Sequence, residues 1–228
     1  MIEFLLIDLD DTILDFKMAE RVALGKTLEQ FGLTPTDDVC SRYSAIHKAH
    51  WEMLERKEIT RAQLRPGRFE VLFKEYGMDV DAAECANTYE GNLSQGSFFL
   101  PGAREVLPVL AENYKLYIVS NGNLHVQQGR LRHSEILPYF DGCFISEEMG
   151  ASKPDPIFFE NCFSRIPDFD PSRAMIVGDS LTSDILGGIR AGITTCWVNP
   201  TGLSHPEDVC PDYQISALSQ LPDLLNRL

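Results

Sequence analysis

Phe4-Leu5-Leu6-Ile7-Asp8-Leu9-Asp10-Asp11-Thr12 is an apolar run that stops abruptly in three carboxylates and a hydroxyl. A short apolar run bounded by polar residues reads as a buried strand. In a central parallel strand Asp8 emerges at the carboxyl end, where open α/β sheets hold their ligands. Strand alternation puts Asp8 and Asp10 on the same side. Two carboxylates that close repel each other, so they call for a cation or a shared proton. Taken alone, the stretch is also compatible with one Asp capping the next helix.

Past this strand the pattern turns helical and does not return to strand until about Lys115. Residues 18–31 carry Val22, Ala23 and Leu28 at helical spacing and stop at Gly32. Residues 38–54 repeat the spacing with Val39, Tyr43, Ile46, Ala49, His50, Met53 and Leu54, and 60–76 repeat it again. In that third helix Pro66-Gly67 predicts a break or kink. A fourth helix, 81–93, runs into Ser94-Gln95-Gly96-Ser97. The expectation is an inserted four-helix domain over 16–98, with Pro101-Gly102 reopening a main domain made of 1–15 and 99–228. From there strands at 116–120, 143–146, 174–177 and 195–198 alternate with helices, which indicates βαβ units and a parallel sheet.

The 228 residues carry a net charge of -14, which argues against a nucleic acid polymer or an anionic membrane as partner. An anionic small molecule would need a local positive site. With no signal-like segment and no apolar run long enough to span a bilayer, the expected location is the cytoplasm. The six cysteines form no C-x-x-C pair and sit mostly in apolar segments, so they read as reduced thiols without a structural zinc site.

Three further polar clusters follow the pattern of the first. Strand 116–119 ends in Ser120-Asn121-Gly122, which offers hydroxyl, amide and backbone donors to a phosphate oxygen and is also ordinary turn chemistry. Strand 174–177 ends in Gly178-Asp179-Ser180, with Thr182, Ser183 and Asp184 at a helix start. A cap explains part of that cluster, and its two carboxylates suit a hard cation such as magnesium. Lys153 lies in Ser152-Lys153-Pro154-Asp155-Pro156, a loop just ahead of a helix, and can supply the missing positive charge. Gly187 and Gly188 inside a helix cost about 1 kcal/mol each relative to alanine, which points to close helix-sheet packing.

Asp8-x-Asp10-x-Thr12, Ser120-Asn121-Gly122, Lys153-Pro154 and Gly178-Asp179-Ser180-x-x-Ser183-Asp184 together resemble the haloacid dehalogenase-like phosphohydrolases, in order and in context. The resemblance covers the whole chain and implies a Rossmann-like α/β core with an inserted helical cap. It implies that Asp8 is a nucleophile forming an aspartyl-phosphate, and that Asp10 is the acid that protonates the leaving alkoxide and then the base for water. It further implies Mg2+ held by Asp8, the Asp10 backbone carbonyl and Asp179, with Asp184 orienting a bound water or Lys153. Ser120, the Asn121 backbone and Lys153 would bind the phosphoryl oxygens, and Thr12 would support the first loop. Dehalogenases of the superfamily lack the second aspartate of the first motif, because a halide leaves without a proton. Asp10 therefore favours a phosphate ester.

His50-Trp51-Glu52, Ile59-Thr60-x-x-Gln63-Leu64, Gly67-Arg68-Phe69, Ile145 to Gly150, and Ser183 to Gly188 running on to Asn199 are similar to the pyrimidine 5′-nucleotidases of this branch. That narrower likeness implies a nucleoside monophosphate substrate (UMP, dUMP, dTMP or modified analogues), with Trp51, Arg68, Phe69 and Asn123 as candidate base contacts. The core would serve equally for phosphoglycolate or a sugar phosphate, and a dehalogenase or a silent binding protein are the remaining alternatives. A monomer or a homodimer is expected.

Overall fold

In the computed structural model, which describes residues 1–228, Phe4–Ile7 form the central strand β1 of a six-stranded parallel sheet. Its four residues are fully buried, as a parallel strand covered on both faces requires. Leu5 and Ile7 enter the core that holds Leu9, Ile13, Val106, Leu107 and Leu131. Phe4 and Leu6 enter the opposite one, with Phe144, Phe158, Phe159 and Ile176.

The chain falls into two compact units, Met1–Phe16 with Ser97–Leu228 and Lys17–Gly96. After β1 come the helices α1 (Phe16–Gln30), α2 (Asp37–Glu55), α3 (Arg61–Tyr76) and α4 (Ala82–Leu93). The chain then runs α5 (Ala103–Ala111), β2 (Lys115–Ser120), α6 (Leu124–Ser134), β3 (Gly142–Ile145), α7 (Ser146–Met149) and α8 (Pro156–Phe163). It ends with β4 (Ala174–Gly178), α9 (Leu186–Ala191), β5 (Thr194–Val198), β6 (Tyr213–Ile215) and α10 (Leu221–Leu225). Strand order is β3-β2-β1-β4-β5-β6, every pair parallel. The order reverses between β1 and β4, which opens a crevice at their carboxyl ends.

Two features depart from the sequence reading. Of the break or kink expected at Pro66-Gly67 the break does not occur, and α3 is continuous from Arg61 to Tyr76. A capping box at Thr60 and Gln63 fixes its start, and Leu64, Arg68, Phe69, Leu72 and Phe73 are buried along its inner face. Packing of that face outweighs the roughly 3 kcal/mol that an interior proline costs. The edge strand β6 was not expected either. Only Ile215 of its three residues is buried, so it carries no apolar signature.

Gly187 and Gly188 do lie where a helix meets the sheet. A Cβ on Gly188 would come 2.5 Å from Ile176 and 2.7 Å from Thr195, and one on Gly187 would come 2.6 Å from Phe159. The missing side chains let α9 lie directly on β4 and β5.

Within the helical unit, Tyr43, Phe69, Phe73 and Tyr89 form an aromatic core with neighbouring centroids 5.0–5.7 Å apart. Buried beside them are Glu20, His47, Arg68 and Glu90. Arg65 grips Glu90 with two parallel bonds, and Ser44 donates to Glu20. Arg68 Nη1 lies 3.0 Å from His47 Nδ1. A guanidinium has only donors, so this nitrogen of His47 is an unprotonated acceptor. Burial, then the charge of Arg68, hold the pKa of His47 well below the ordinary histidine range. The 3.2 Å approach of Glu20 to the same nitrogen is therefore not an ion pair in the neutral ring's state.

Candidate active site

Asp8 follows the last residue of β1, Ser120 ends β2, and Asp179 follows β4, so three polar clusters share the carboxyl edge of adjacent strands. Lys153 reaches the same place from the loop before α8. The residue is 2 % exposed, and its ammonium donates to Asp8 Oδ1 at 2.6 Å, to Asp184 Oδ1 at 2.6 Å and to the Val119 carbonyl at 2.8 Å. All three of its donor positions are thus filled.

Each partner is itself held. The Asn121 amide accepts from the Lys153 backbone N–H and donates to the Lys153 carbonyl, both at 2.8 Å, which pins the lysine loop to the end of β2. Its side chain is thereby committed. The second oxygen of Asp184 accepts from Ser180 N at 3.1 Å, and a side chain at Gly178 would strike Asp184. The Asp179 carbonyl accepts from the indole N–H of Trp197 at 2.8 Å. Asp11 takes a positive φ of 54° and closes a tight loop, with its N–H on the Leu14 carbonyl and its carboxylate on Phe16 N. Thr12 lies inside that loop, with its hydroxyl buried and without a hydrogen-bond partner.

One carboxylate oxygen from each of Asp8, Asp179 and Asp184 lies within 4.8 Å of the others. With all three carboxyls ionised, the single ammonium of Lys153 would leave two negative charges, which one divalent cation would neutralise. The donor set is all oxygen, as a hard cation requires. The electrostatics point the same way. Burial, reinforced by Asp184, Asp179 and Asp10, pushes the Asp8 pKa well above the carboxylate range despite Lys153. Burial together with Asp184 and Asp11 pushes Asp179 up to about 8. Burial alone would lower the Lys153 pKa, but Asp184 and Asp8 more than reverse it, so the ammonium stays charged.

Asp10 stands apart from the lysine. Its carboxylate is held from α6 by Arg130 and, at 2.5 Å, by Gln127 Nε2. Gln127 Nε2 also donates to Ser120 Oγ at 2.8 Å. Neither residue was singled out in the sequence reading. A Gln and an Arg at i and i+3 on a helix ordinarily face solvent, and nothing local announces that these two are 1 % and 0 % exposed.

The candidate base contacts diverge. Phe69 is enclosed by Tyr43, Phe73 and Tyr89, and Arg68 is buried beside His47, so both are occupied in the helical unit's interior. Trp51 is half-buried on α2 with the Arg61 guanidinium 5.7 Å over its ring. Asn123 is half-buried at the start of α6, where its side chain caps the helix through Val126 N at 3.1 Å.

The sequence profile of the haloacid dehalogenase-like hydrolases matches residues 2–192. The chain is 40 % identical to the HAD-hydrolase YfnB of Bacillus subtilis, covering 97 % of this chain and 94 % of that one. The crystal structure of YfnB bound to magnesium, which reveals interdomain movement in that protein, matches with a TM-score of 0.95 over 99 % of both chains. Pyrimidine 5′-nucleotidase PynA of Streptococcus pneumoniae is 39 % identical, covering 99 % and 95 % of the two chains. A 2-haloacid dehalogenase from Pseudomonas syringae is 28 % identical, with a TM-score of 0.68 over 100 % and 99 % of the two chains.

Proposed function

This chain belongs to the haloacid dehalogenase-like hydrolases, and on that premise we propose that it is a magnesium-dependent phosphomonoesterase acting through an aspartyl-phosphate, with pyrimidine nucleoside 5′-monophosphates as substrates. The observation that carries the reading is the convergence of Asp8, Asp179 and Asp184 on Lys153, with a further carboxylate, Asp10, on the adjoining loop.

In the first step an oxygen of Asp8 attacks phosphorus and the bond to the ester oxygen breaks. The electron pair stays on the departing alkoxide, which takes a proton from the Asp10 carboxyl. In the second, a water oxygen attacks phosphorus while its proton passes to Asp10, and the bond to Asp8 breaks, restoring the carboxylate. The positive charge of Lys153 and the proton of the Ser120 hydroxyl steady charge on the equatorial oxygens, and Asn121 keeps Lys153 in register. Asp8, Asp179 and the Asp10 carbonyl are the groups that would hold magnesium, which when bound lessens repulsion between an anionic nucleophile and an anionic phosphate. Asp184 positions Lys153.

Asp10 is what favours an ester over a haloacid, since an alkoxide needs a proton on leaving and a halide does not. The pyrimidine preference draws on PynA. Of the selectivity candidates, Trp51 and Asn123 retain exposed surface for a ligand.

The test is phosphate release with magnesium across pyrimidine and purine monophosphates, phosphoglycolate, hexose phosphates and a chloroacid. Pyrimidine monophosphates should be turned over fastest, and Asp8→Asn should lose more than about 10³-fold in kcat while staying folded. Turnover confined to the glycolate or sugar phosphates would discard the pyrimidine assignment. Full activity in Asp8→Asn would overturn the mechanism.

A further inference from the structure

Two side chains of α6 tie the acid-base group to the phosphate-binding hydroxyl. We propose that Arg130 and Gln127 form a buried latch that fixes the orientation of the Asp10 carboxyl and of the Ser120 hydroxyl for the reaction. The inference rests on the reading of Asp10 given above.

The Nη1 of Arg130 donates to Asp10 Oδ1 and, at 3.0 Å, to the Gln127 side chain. A guanidinium has no acceptor, so the Gln127 atom facing it must be the amide oxygen. That settles the amide's orientation and turns Nε2 toward Asp10 Oδ2 at 2.5 Å and Ser120 Oγ at 2.8 Å. Each oxygen of Asp10 now has its own donor, and rotation of the carboxyl would break both bonds.

The same amide sets Ser120. Its Oγ accepts from Gln127 Nε2 and from Gly122 N at 3.1 Å, which occupies both lone pairs. Only the hydroxyl proton is left to give, and that is the polarity an anionic phosphoryl oxygen needs. Gly122 admits the latch, because a Cβ there would lie 2.6 Å from Gln127 Cγ and Cδ.

Burial separates the anchor from the working group. Arg130 is 0 % and Gln127 1 % exposed, whereas the Asp10 side chain keeps 28 % of its surface. A guanidinium is seldom buried without a charged partner, and the partner here is the carboxylate of the first loop. Arg130 and Gln127 act on the reaction only through the Asp10 carboxyl and the Ser120 hydroxyl that they hold, so they are positioning residues.

The experiment compares kcat/KM for uridine 5′-monophosphate, whose alkoxide needs a proton, with that for p-nitrophenyl phosphate, whose phenolate does not. Wild type, Asp10→Asn, Gln127→Leu, Arg130→Met and Arg130→Lys are measured with their melting temperatures. Gln127→Leu and Arg130→Met should lower the nucleotide value by roughly 10²-fold and the aryl value by less than about 10-fold, as Asp10→Asn does. Arg130→Lys should recover part of the difference. If Arg130→Met does not fold, Gln127→Leu, which keeps the Arg130–Asp10 pair and the side-chain volume, decides the matter. Equal losses on both substrates in the latch variants, with Asp10→Asn still discriminating, would overturn the latch alone. Equal losses in Asp10→Asn would overturn the acid-base reading and the latch with it.

Discussion

The Lys153 ammonium lies 2.6 Å from the Asp8 carboxylate and stands between it and Asp184. It is the only cation touching either acid, and all three side chains are nearly inaccessible to water. Lys153→Met would leave two buried carboxylates facing each other. Removing one partner of a buried pair costs about 3–5 kcal/mol. We expect a loss in that range by urea denaturation at neutral pH in metal-free buffer. Wild-type stability at neutral pH would show that Lys153 does not hold this cluster together.

Magnesium should stabilise the protein as well as activate it. Crowding of the Asp8, Asp179 and Asp184 carboxyls, which holds Asp8 and Asp179 above the usual carboxylate range, is a penalty on ionisation that a divalent cation removes. Binding to the folded chain alone raises stability by about 2.7 kcal/mol at a hundredfold excess over Kd. Differential scanning fluorimetry should therefore show a melting temperature that climbs with magnesium and falls back with chelator. Asp179→Asn should blunt that climb. A melting temperature indifferent to magnesium would count against a metal in this cluster.

His47 makes the helical unit sensitive to mild acid. Its pKa is depressed in the folded state by burial and by Arg68, with His50 contributing, while in the unfolded chain it titrates near 6.5. Below about pH 6.5 the unfolded state binds a proton that the folded state refuses. Stability is then fully present above that pH and declines as pH drops toward the folded value, with a slope of up to about 1.4 kcal/mol per pH unit. Chemical denaturation of wild type and His47→Gln between about pH 5 and 8 isolates the contribution. The variant should show the shallower acid limb, and parallel profiles would refute the assignment.

The strand ends announced themselves in the sequence because a parallel strand buried on both faces must be apolar until it reaches the ligand edge. Asp8, Ser120 and Asp179 each interrupt such a run. Lys153 lay in a loop, and its weight came from the acids that the fold brings to it. Arg130 and Gln127 were not legible, because burial of a polar pair on a helix is decided by what packs over it. Pro66 misled for a related reason. Its local preference is real, but Tyr43 and Tyr89, which pack on Phe69 of the same helix, are distant in sequence and override it.

Gly188 offers a test of the packing that brings the fourth motif to the sheet. Alanine is the better helix former by about 1 kcal/mol, so local propensity alone predicts that Gly188→Ala stabilises α9. The added methyl, however, would meet Ile176 of β4 and Thr195 of β5 at 2.5 and 2.7 Å. Both neighbours are fully buried and β-branched, so neither can turn aside cheaply. Overpacking of this kind costs about 1–3 kcal/mol, which exceeds the propensity gain. The variant should be less stable than wild type in urea. Because α9 continues from the turn carrying Asp184, its displacement should also weaken magnesium binding, whereas Gly25→Ala, on α1 with open space at its Cβ, should not.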